Sequence, residues 1–213
     1  MSKIQRIYEN IKANNQNLQD EVHLFFNLML RSDFEEITES RFTSIFIIKL
    51  FYAFIRGAHL NSIFSEIRNL EISYEGYIRM KPPTQFKKEP LKGLWHKHFE
   101  QIGMRSMALN MRSQINLDPN FSKEFSEIYN NEYISLNEKV KQLGYLSTTK
   151  QYLNRIDNGM LTGEWIIYHI HNNKNFYLNV CKHNDGDLII ANEIKEISLF
   201  EFPDFKDELP IFK

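Results

Sequence analysis

Apolar residues recur at helical spacing through the first third of the chain. In residues 4–11 and 18–30 they fall three or four positions apart, which is the period of a helix that buries one face. A long apolar helix is predicted over residues 39–56, ending near Gly57, because glycine commonly terminates helices. The pattern therefore predicts a helical N-terminal half over residues 1–70.

The rest of the chain combines strand patterns with helix patterns. Residues 71–80 alternate apolar and polar side chains, which is typical of a strand. Two runs rich in β-branched and aromatic residues, 164–171 and 176–183, flank the polar segment 172–175 and predict a β-hairpin. Between these strands, helical spacing predicts helices over residues 103–115 and 120–143.

Together these patterns predict an α+β fold. We expect the helical N-terminal half to pack on a small antiparallel sheet with a C-terminal β-hairpin. No repeat or low-complexity linker interrupts the sequence, so we expect a single domain over residues 1–213. Its mixed α+β part, residues 71–213, carries the candidate site.

Several common classes of site are excluded by composition. None of the eight glycines is separated from another by a single residue, and none precedes Lys-Ser or Lys-Thr. The dinucleotide-binding and P-loop motifs are therefore absent. Cys181 is the single cysteine, which excludes an intramolecular disulfide and a zinc site built on several thiolates.

The sequence also indicates where in the cell the protein is located. Its start has no apolar run of the kind that directs export, and the apolar stretch at 42–55 is interrupted by Lys49. That stretch is shorter than the roughly 20 residues of a membrane-spanning helix. We therefore expect a cytoplasmic protein that does not contact a membrane.

Charge is unevenly distributed although the net charge is −1. Residues 79–112 hold eight Lys or Arg against two acids, a net of +6, and residues 185–208 hold eight acids against two Lys, a net of −6. Either the two segments neutralise each other in the fold, or the basic segment forms a groove that faces phosphate groups.

A His-x-His motif lies within the basic segment. On an extended backbone His96 and His98 point the same way. Two imidazoles could supply the acid and the base that RNA cleavage by its own 2′-hydroxyl requires, without a metal ion. Phosphate contacts would come from Lys97, Arg105 and Arg79. Alternatively, the histidines are structural residues beside a buried tryptophan.

The predicted hairpin carries further candidates. If His171 faces Phe176, then Glu164 faces His183, and such a carboxylate would orient the imidazole and raise its pKa. His183 ends its strand and is the more accessible histidine, whereas we expect His169 and His171 to be half-buried structural residues. Glu164 and the histidines at 96, 98 and 183 could also bind zinc, but no H-E-x-x-H motif is present and we predict no metal site.

The hairpin resembles that of RelE-like toxin ribonucleases. In that family a strand of the form G-x-W/Y-R-I-x-Y precedes a strand that ends near His-Arg, and the matching stretches here are 163–168 and 180–183. The arginine of the first strand is absent, and Lys182 precedes the histidine where the family has arginine after it. The resemblance implies a ribonuclease of the toxin type with an antitoxin as partner.

A second segment resembles another family. Residues 144–149, Gly-Tyr-Leu-Ser-Thr-Thr, are similar to the G-[FY]-x-S-T-[ST] strand of Arg-Ser-Glu ADP-ribosyltransferases. The resemblance implies NAD as cofactor, with Ser147 on the strand that supports it. It also implies an upstream arginine and a downstream glutamate, for which the candidates are Arg79 or Arg56 and Glu193 or Glu196. Alternatively, Gly144 ends one helix and the threonines begin another near Lys150.

Our leading interpretation is a small bacterial toxin or phage-defence effector that cleaves RNA without metal or other cofactor. His96, His98 and His183 would transfer protons, and Glu164 would orient an imidazole. RNA would be the substrate, and an antitoxin or regulatory protein a partner. The alternatives are an ADP-ribosyltransferase that uses NAD and a non-enzymatic helical interaction module.

Overall fold

The computed structural model describes residues 1–12, 15–72, 80–99, 104–158, 160, 164–182 and 185–213, with backbone only at 104–106. Within these residues the fold is α+β, with helices in the N-terminal half and a C-terminal β-hairpin, as predicted. The helices of the N-terminal half are α1 (Lys3–Asn10), α2 (Gln16–Arg31), α3 (Phe34–Thr38), α4 (Ser44–Ile55) and α5 (Leu60–Ile72). No helix in the described part of the chain combines the length and apolar character that a bilayer crossing requires.

Local backbone chemistry sets where these helices begin and end. Three of them, α1, α2 and α4, are capped by side chains that accept a backbone N–H of the first turn, those of Ser2, Asn15 and Thr43. The helix predicted from residue 39 begins later than expected. Glu39 and Ser40 adopt positive φ angles of 49° and 59°, which end α3, so α4 begins only at Ser44.

The described strands form one antiparallel sheet in the order β1–β2–β3–β4. They are β1 (Thr84–Gln85), β2 (Trp95–Phe99), β3 (Glu164–His171) and β4 (Lys174–Cys181). A two-residue turn joins β3 to β4, with φ angles of 50° at Asn172 and 60° at Asn173, a region that asparagine tolerates. His171 therefore pairs with Lys174 and not, as predicted, with Phe176.

A β-bulge in β4, where Leu178 is the extra residue opposite Ile167 and Tyr168, shifts the pairing by one further residue. Beyond it Trp165 lies opposite Cys181. If this register continued by one residue, Glu164 would meet Lys182. Its predicted partner, His183, lies outside the described residues.

The middle of the chain forms a helical segment between β2 and β3. Its helices are α6 (Met104–Leu117), α7 (Phe121–Tyr129), α8 (Leu136–Ser147) and α9 (Thr149–Asp157), which pack mainly on one another. The single helix predicted over 120–143 is instead two helices, because the Ser135 hydroxyl accepts the Glu138 N–H and begins a new helix. The strand predicted over 71–80 falls largely on residues 73–79, which lie outside the described part.

Helices cover both faces of the sheet. One face shares a hydrophobic core with α1 to α5 through Phe99, Ile166, Tyr168, Tyr177 and Val180, and α4 and α5 lie directly on the strands. The opposite face packs through Ile167, Leu178 and Cys181 against α10 (Asp187–Glu201) and two 3₁₀ helices, Pro203–Phe205 and Pro210–Phe212. We call these the N-terminal face and the C-terminal face. The acidic end of the chain thus supplies a second helical layer.

Candidate functional site

The two histidines of β2 face one side of the sheet, and the lysine between them faces the other. Directly paired residues of an antiparallel sheet point the same way. His98 pairs with Trp165, which packs on the C-terminal face. Lys97 pairs with Ile166, which packs on the N-terminal face. His96 lies two positions from His98 and so shares its face.

The rings of the two histidines form a cluster with two further aromatic rings, Trp165 and Phe86, on the C-terminal face. The ring centroids of His96 and His98 are 5.5 Å apart, and those of His96 and Trp165 are 5.1 Å apart. Phe86 lies over His96 with a centroid distance of 4.5 Å and meets Trp165 edge to face. His98 is buried and His96 is half-buried, so solvent has readier access to His96.

A basic loop begins beside this ring cluster. The Phe86 N–H donates to the Leu94 carbonyl and the Gly93 N–H donates to the Phe86 carbonyl, which closes the loop between β1 and β2. Because the Phe86 ring contacts His96, the closed loop is anchored next to the imidazole. The exposed cationic side chains of the loop are those of Lys87, Lys88 and Lys92.

Lys97, the predicted phosphate contact between the histidines, is held on the N-terminal face. Its ammonium nitrogen lies 3.1 Å from a carboxylate oxygen of Glu66 on α5 and donates to the Lys81 carbonyl at 2.7 Å. The residue is 4% exposed. Its charge is therefore paired within the fold and is directed away from the two imidazoles.

Glu164 also lies on the N-terminal face, since it pairs with Phe99 at the end of β3. It is 5% exposed, and neither carboxylate oxygen has a hydrogen-bond partner among the described residues. The nearest described cation is the Arg56 guanidinium, at 3.8 Å. Burial raises the pKa of Glu164, and Arg56 opposes this shift only in part. The fold therefore favours the uncharged carboxyl group here.

Three other predicted site residues cannot be placed against this geometry. His183 and Arg79 lie outside the described residues, as does the side chain of Arg105 on α6. The predicted convergence of His183 with His96 and His98 therefore stays a prediction. Within the described part, His96 and His98 come together, while Glu164 and Lys97 lie on the opposite face.

The residues of the ADP-ribosyltransferase resemblance lie on separate helices. Residues 144–149, where the resemblance implies a strand, contain the end of α8 at Ser147 and the start of α9. Glu193 belongs to α10, where its carboxylate meets the Lys49 ammonium at 2.6 Å and the Asn179 side-chain amide at 3.0 Å. The segment is a junction between two helices, as the alternative predicted, but Gly144 does not end the first: α8 continues through it to Ser147, and α9 begins at Thr149.

The acidic end of the chain pairs with the N-terminal helices and the hairpin. Besides Glu193 with Lys49, the carboxylate of Glu201 meets the Lys3 ammonium at 2.8 Å. Glu208 meets two histidines of the hairpin. Among the described residues, no ion pair joins this segment to the basic segment at 79–112, so the exposed loop lysines are not neutralised by it.

Sequence reasoning missed a second cluster, built by His169, His171 and Glu208. The Glu208 carboxylate lies 2.6 Å from His169 Nε2 and 2.5 Å from His171 Nδ1. One ligand atom from each residue lies within 4.8 Å of the others. Burial lowers the pKa of His169, and its hydrogen bond to Glu208 opposes that shift. His169 is buried and His171 half-buried, close to the prediction, but nothing in the sequence connects them to position 208.

Comparison of the chain with protein-family models, with curated proteins and with solved structures found no significant match. The two family resemblances therefore stay predictions that rest on the short motifs that carry them. The chemistry of the chain is inferred below from its own side chains.

Proposed function

We propose that the chain is a metal-independent ribonuclease in which His96 and His98 act as the acid and the base. The observation that carries this proposal is the placement of both imidazoles on one sheet face, with ring centroids 5.5 Å apart. Imidazole is the side chain best suited to exchange protons near neutral pH. Two such groups side by side can act as the proton acceptor and the proton donor of one reaction.

The reaction uses the RNA's own 2′-hydroxyl as nucleophile. One imidazole accepts the 2′-hydroxyl proton while the 2′-oxygen forms a bond to phosphorus. The bond from phosphorus to the 5′-oxygen of the next nucleotide breaks, and the other imidazolium donates a proton to that oxygen. The products are a 2′,3′-cyclic phosphate and a 5′-hydroxyl end, and the step requires neither water nor a metal ion.

The surroundings of the histidines support RNA as the substrate. Trp165 and Phe86 place aromatic rings next to His96, and unpaired bases of single-stranded RNA stack on such rings. The lysines of the adjacent loop, at positions 87, 88 and 92, are exposed and could contact the phosphate backbone. They take the role first predicted for Lys97, while Arg79, Arg105 and His183 stay predicted contributors.

The proposed biological role is that of a bacterial toxin or phage-defence effector. Cleavage of cellular RNA would stop growth, so the producing cell would need an antitoxin or another regulatory partner. Growth arrest on expression, with RNA fragmentation, is the cellular outcome we expect.

The test is the identity of the RNA ends. Purified protein is incubated with single-stranded RNA in excess EDTA, and the fragments are examined for 2′,3′-cyclic phosphate and 5′-hydroxyl ends. A parallel substrate with 2′-deoxy sugars lacks the nucleophile, and we expect it to stay intact. Intact RNA with the parent protein, fragments with 5′-phosphate ends, or cleavage of the 2′-deoxy substrate would overturn the proposal.

A further inference from the structure

The cluster at the turn end of β3 has the donor set of a transition-metal site. His169 and His171 lie two positions apart on β3, so both rings lie on the C-terminal face. Glu208 comes from the segment between the two 3₁₀ helices and brings one oxygen to each ring. Two imidazole nitrogens and one carboxylate oxygen thus converge from two distant parts of the chain.

We propose that His169, His171 and Glu208 bind a divalent transition-metal ion, with Zn²⁺ as the best fit. Zinc accepts mixed nitrogen and oxygen ligands in tetrahedral geometry and often takes three protein ligands with water as the fourth. Calcium and magnesium prefer oxygen ligands alone, so a site with two imidazoles selects against them. The site is separate from His96 and His98 and does not depend on the proposed RNA cleavage.

The present spacing of the ligand atoms suits an ion of this size. Tetrahedral zinc, with bonds of about 2.0–2.1 Å, holds neighbouring ligand atoms about 3.3 Å apart. The carboxylate oxygens now lie 2.6 Å and 2.5 Å from the two ring nitrogens. A bound ion would move each oxygen away from its ring nitrogen by under about 1 Å, which side-chain rotation can supply. One ligand atom from each of the three residues already lies within 4.8 Å of the others.

A further polar contact orients the second imidazole. The side-chain amide nitrogen of Asn172 lies 2.8 Å from His171 Nε2. Rotation of the amide presents its oxygen to an Nε2 proton and leaves the lone pair of Nδ1 for a metal ion. Asn172 is held in place by the left-handed backbone of the tight turn. A hydrogen bond at the second ring nitrogen is the usual support of a metal-binding histidine.

Aromatic rings wall the cluster on its inner side and leave its outer side open. The His169 ring lies edge to face with Phe205 and Phe212, at centroid distances of 4.9 Å and 5.5 Å. The His171 ring contacts Phe205 and Phe176 at 5.4 Å and 5.7 Å. The Glu208 side chain is 32% exposed, so an ion can enter from solvent and keep a water ligand. The packed rings hold both imidazoles in place before an ion arrives.

The test is zinc binding by the full chain after its metal has been stripped. Isothermal titration calorimetry with Zn²⁺ is expected to give one site per chain, and Mg²⁺ is expected to give no heat. Substitution with Co²⁺ is expected to give the visible absorption of tetrahedral coordination. Because binding to the folded state stabilises it, saturating Zn²⁺ is expected to raise the Tm by about 4 °C or more.

Variants of the exposed side of the cluster avoid disturbing the core. Glu208→Gln and His171→Gln are each expected to weaken zinc binding by at least about tenfold, in line with the loss of one ligand. The matched controls Glu196→Gln and His59→Gln alter exposed residues elsewhere and are expected to bind as the parent does. Absence of a Zn²⁺ site in the parent would overturn the proposal, and so would unchanged binding by both cluster variants.

Discussion

Glu164 and His98 lie at the same end of the sheet but on opposite faces. His98 pairs with Trp165 and faces the C-terminal layer, whereas Glu164 pairs with Phe99 and faces the N-terminal helices. The carboxyl group therefore cannot orient either imidazole of β2 through a direct contact. We therefore expect the burial of Glu164 beside Arg56 to affect the stability of the fold.

Replacing Glu164 with glutamine is expected to stabilise the protein at neutral pH. The folded state raises the pKa of this carboxyl above its ordinary value of 4.5, mainly by burial. Such a group costs stability as the pH rises from about 4.5 through the folded pKa, because the unfolded chain loses its proton first. The amide of Glu164→Gln carries no charge and escapes that cost.

The measurement is the free energy of unfolding in urea at pH 4 and at pH 7.5. We expect the variant to exceed the parent at pH 7.5 and the difference to shrink at pH 4. A variant less stable than the parent at pH 7.5 would mean that the charged carboxylate makes a net favourable interaction, with Arg56 as the nearest described candidate.

Lys97 is expected to stabilise the fold through its ion pair with Glu66. Lys97→Met removes one partner of a buried pair and leaves the Glu66 carboxylate without its cation, a change that typically costs about 3–5 kcal/mol. The double variant Lys97→Met with Glu66→Leu removes both charges and is expected to recover much of that loss. Both quantities come from urea unfolding, and the double variant is also assayed for RNA cleavage. A stable Lys97→Met protein that no longer cleaves RNA would instead assign the lysine to the substrate.

Neutralising the loop lysines is expected to weaken RNA binding without unfolding the protein. A triple change to glutamine at 87, 88 and 92 removes up to three phosphate contacts. For single-stranded RNA each contact contributes about 0.7 to the slope of log K against log salt, so the slope should fall by about 2. The matched control changes three exposed lysines elsewhere, Lys12, Lys123 and Lys141. Equal slopes for the triple variant and the parent would remove the loop from the binding surface.

A substitution at Ser147 distinguishes the proposed ribonuclease activity from the alternative ADP-ribosyltransferase activity. Ser147 ends α8, whereas Glu193 lies on α10 and pairs with Lys49 of α4. We expect Ser147→Ala to cleave RNA like the parent, and neither protein to consume NAD. For each protein, NAD consumption is measured by chromatography of the nucleotide and RNA cleavage by electrophoresis. NAD consumption by the parent that disappears in Ser147→Ala would favour the transferase.

The elements that could be predicted from sequence are those set by local periodicity. Helical spacing in residues 4–11 and 18–30 reappears as α1 and α2, and the two β-rich runs reappear as the hairpin. The shared face of His96 and His98 follows from the period of two in any strand.

Features set by turn geometry or by distant contacts were not predictable. The hairpin register depends on whether two or four residues form its turn, and on a bulge that has no signature in the sequence. The faces of Lys97 and Glu164 depend on which strand lies beside β2. Glu208 reaches His169 and His171 only because the C-terminal helices fold back over the sheet, and sequence spacing carries no trace of that return.

The measurement that tests the proposed chemistry most directly is the rate of RNA cleavage in EDTA for variants of single histidines. His96→Ala and His98→Ala each remove a proton-transfer group, and we expect each to lower the rate by about 10²–10⁴-fold. His98 is buried, so His98→Asn is included as a polar replacement, and circular dichroism verifies that each variant is folded. His59→Gln, at an exposed position on the N-terminal side, is expected to keep the parent's rate. Folded His96 and His98 variants that cleave RNA as fast as the parent would contradict the assignment of these two imidazoles as the acid and the base.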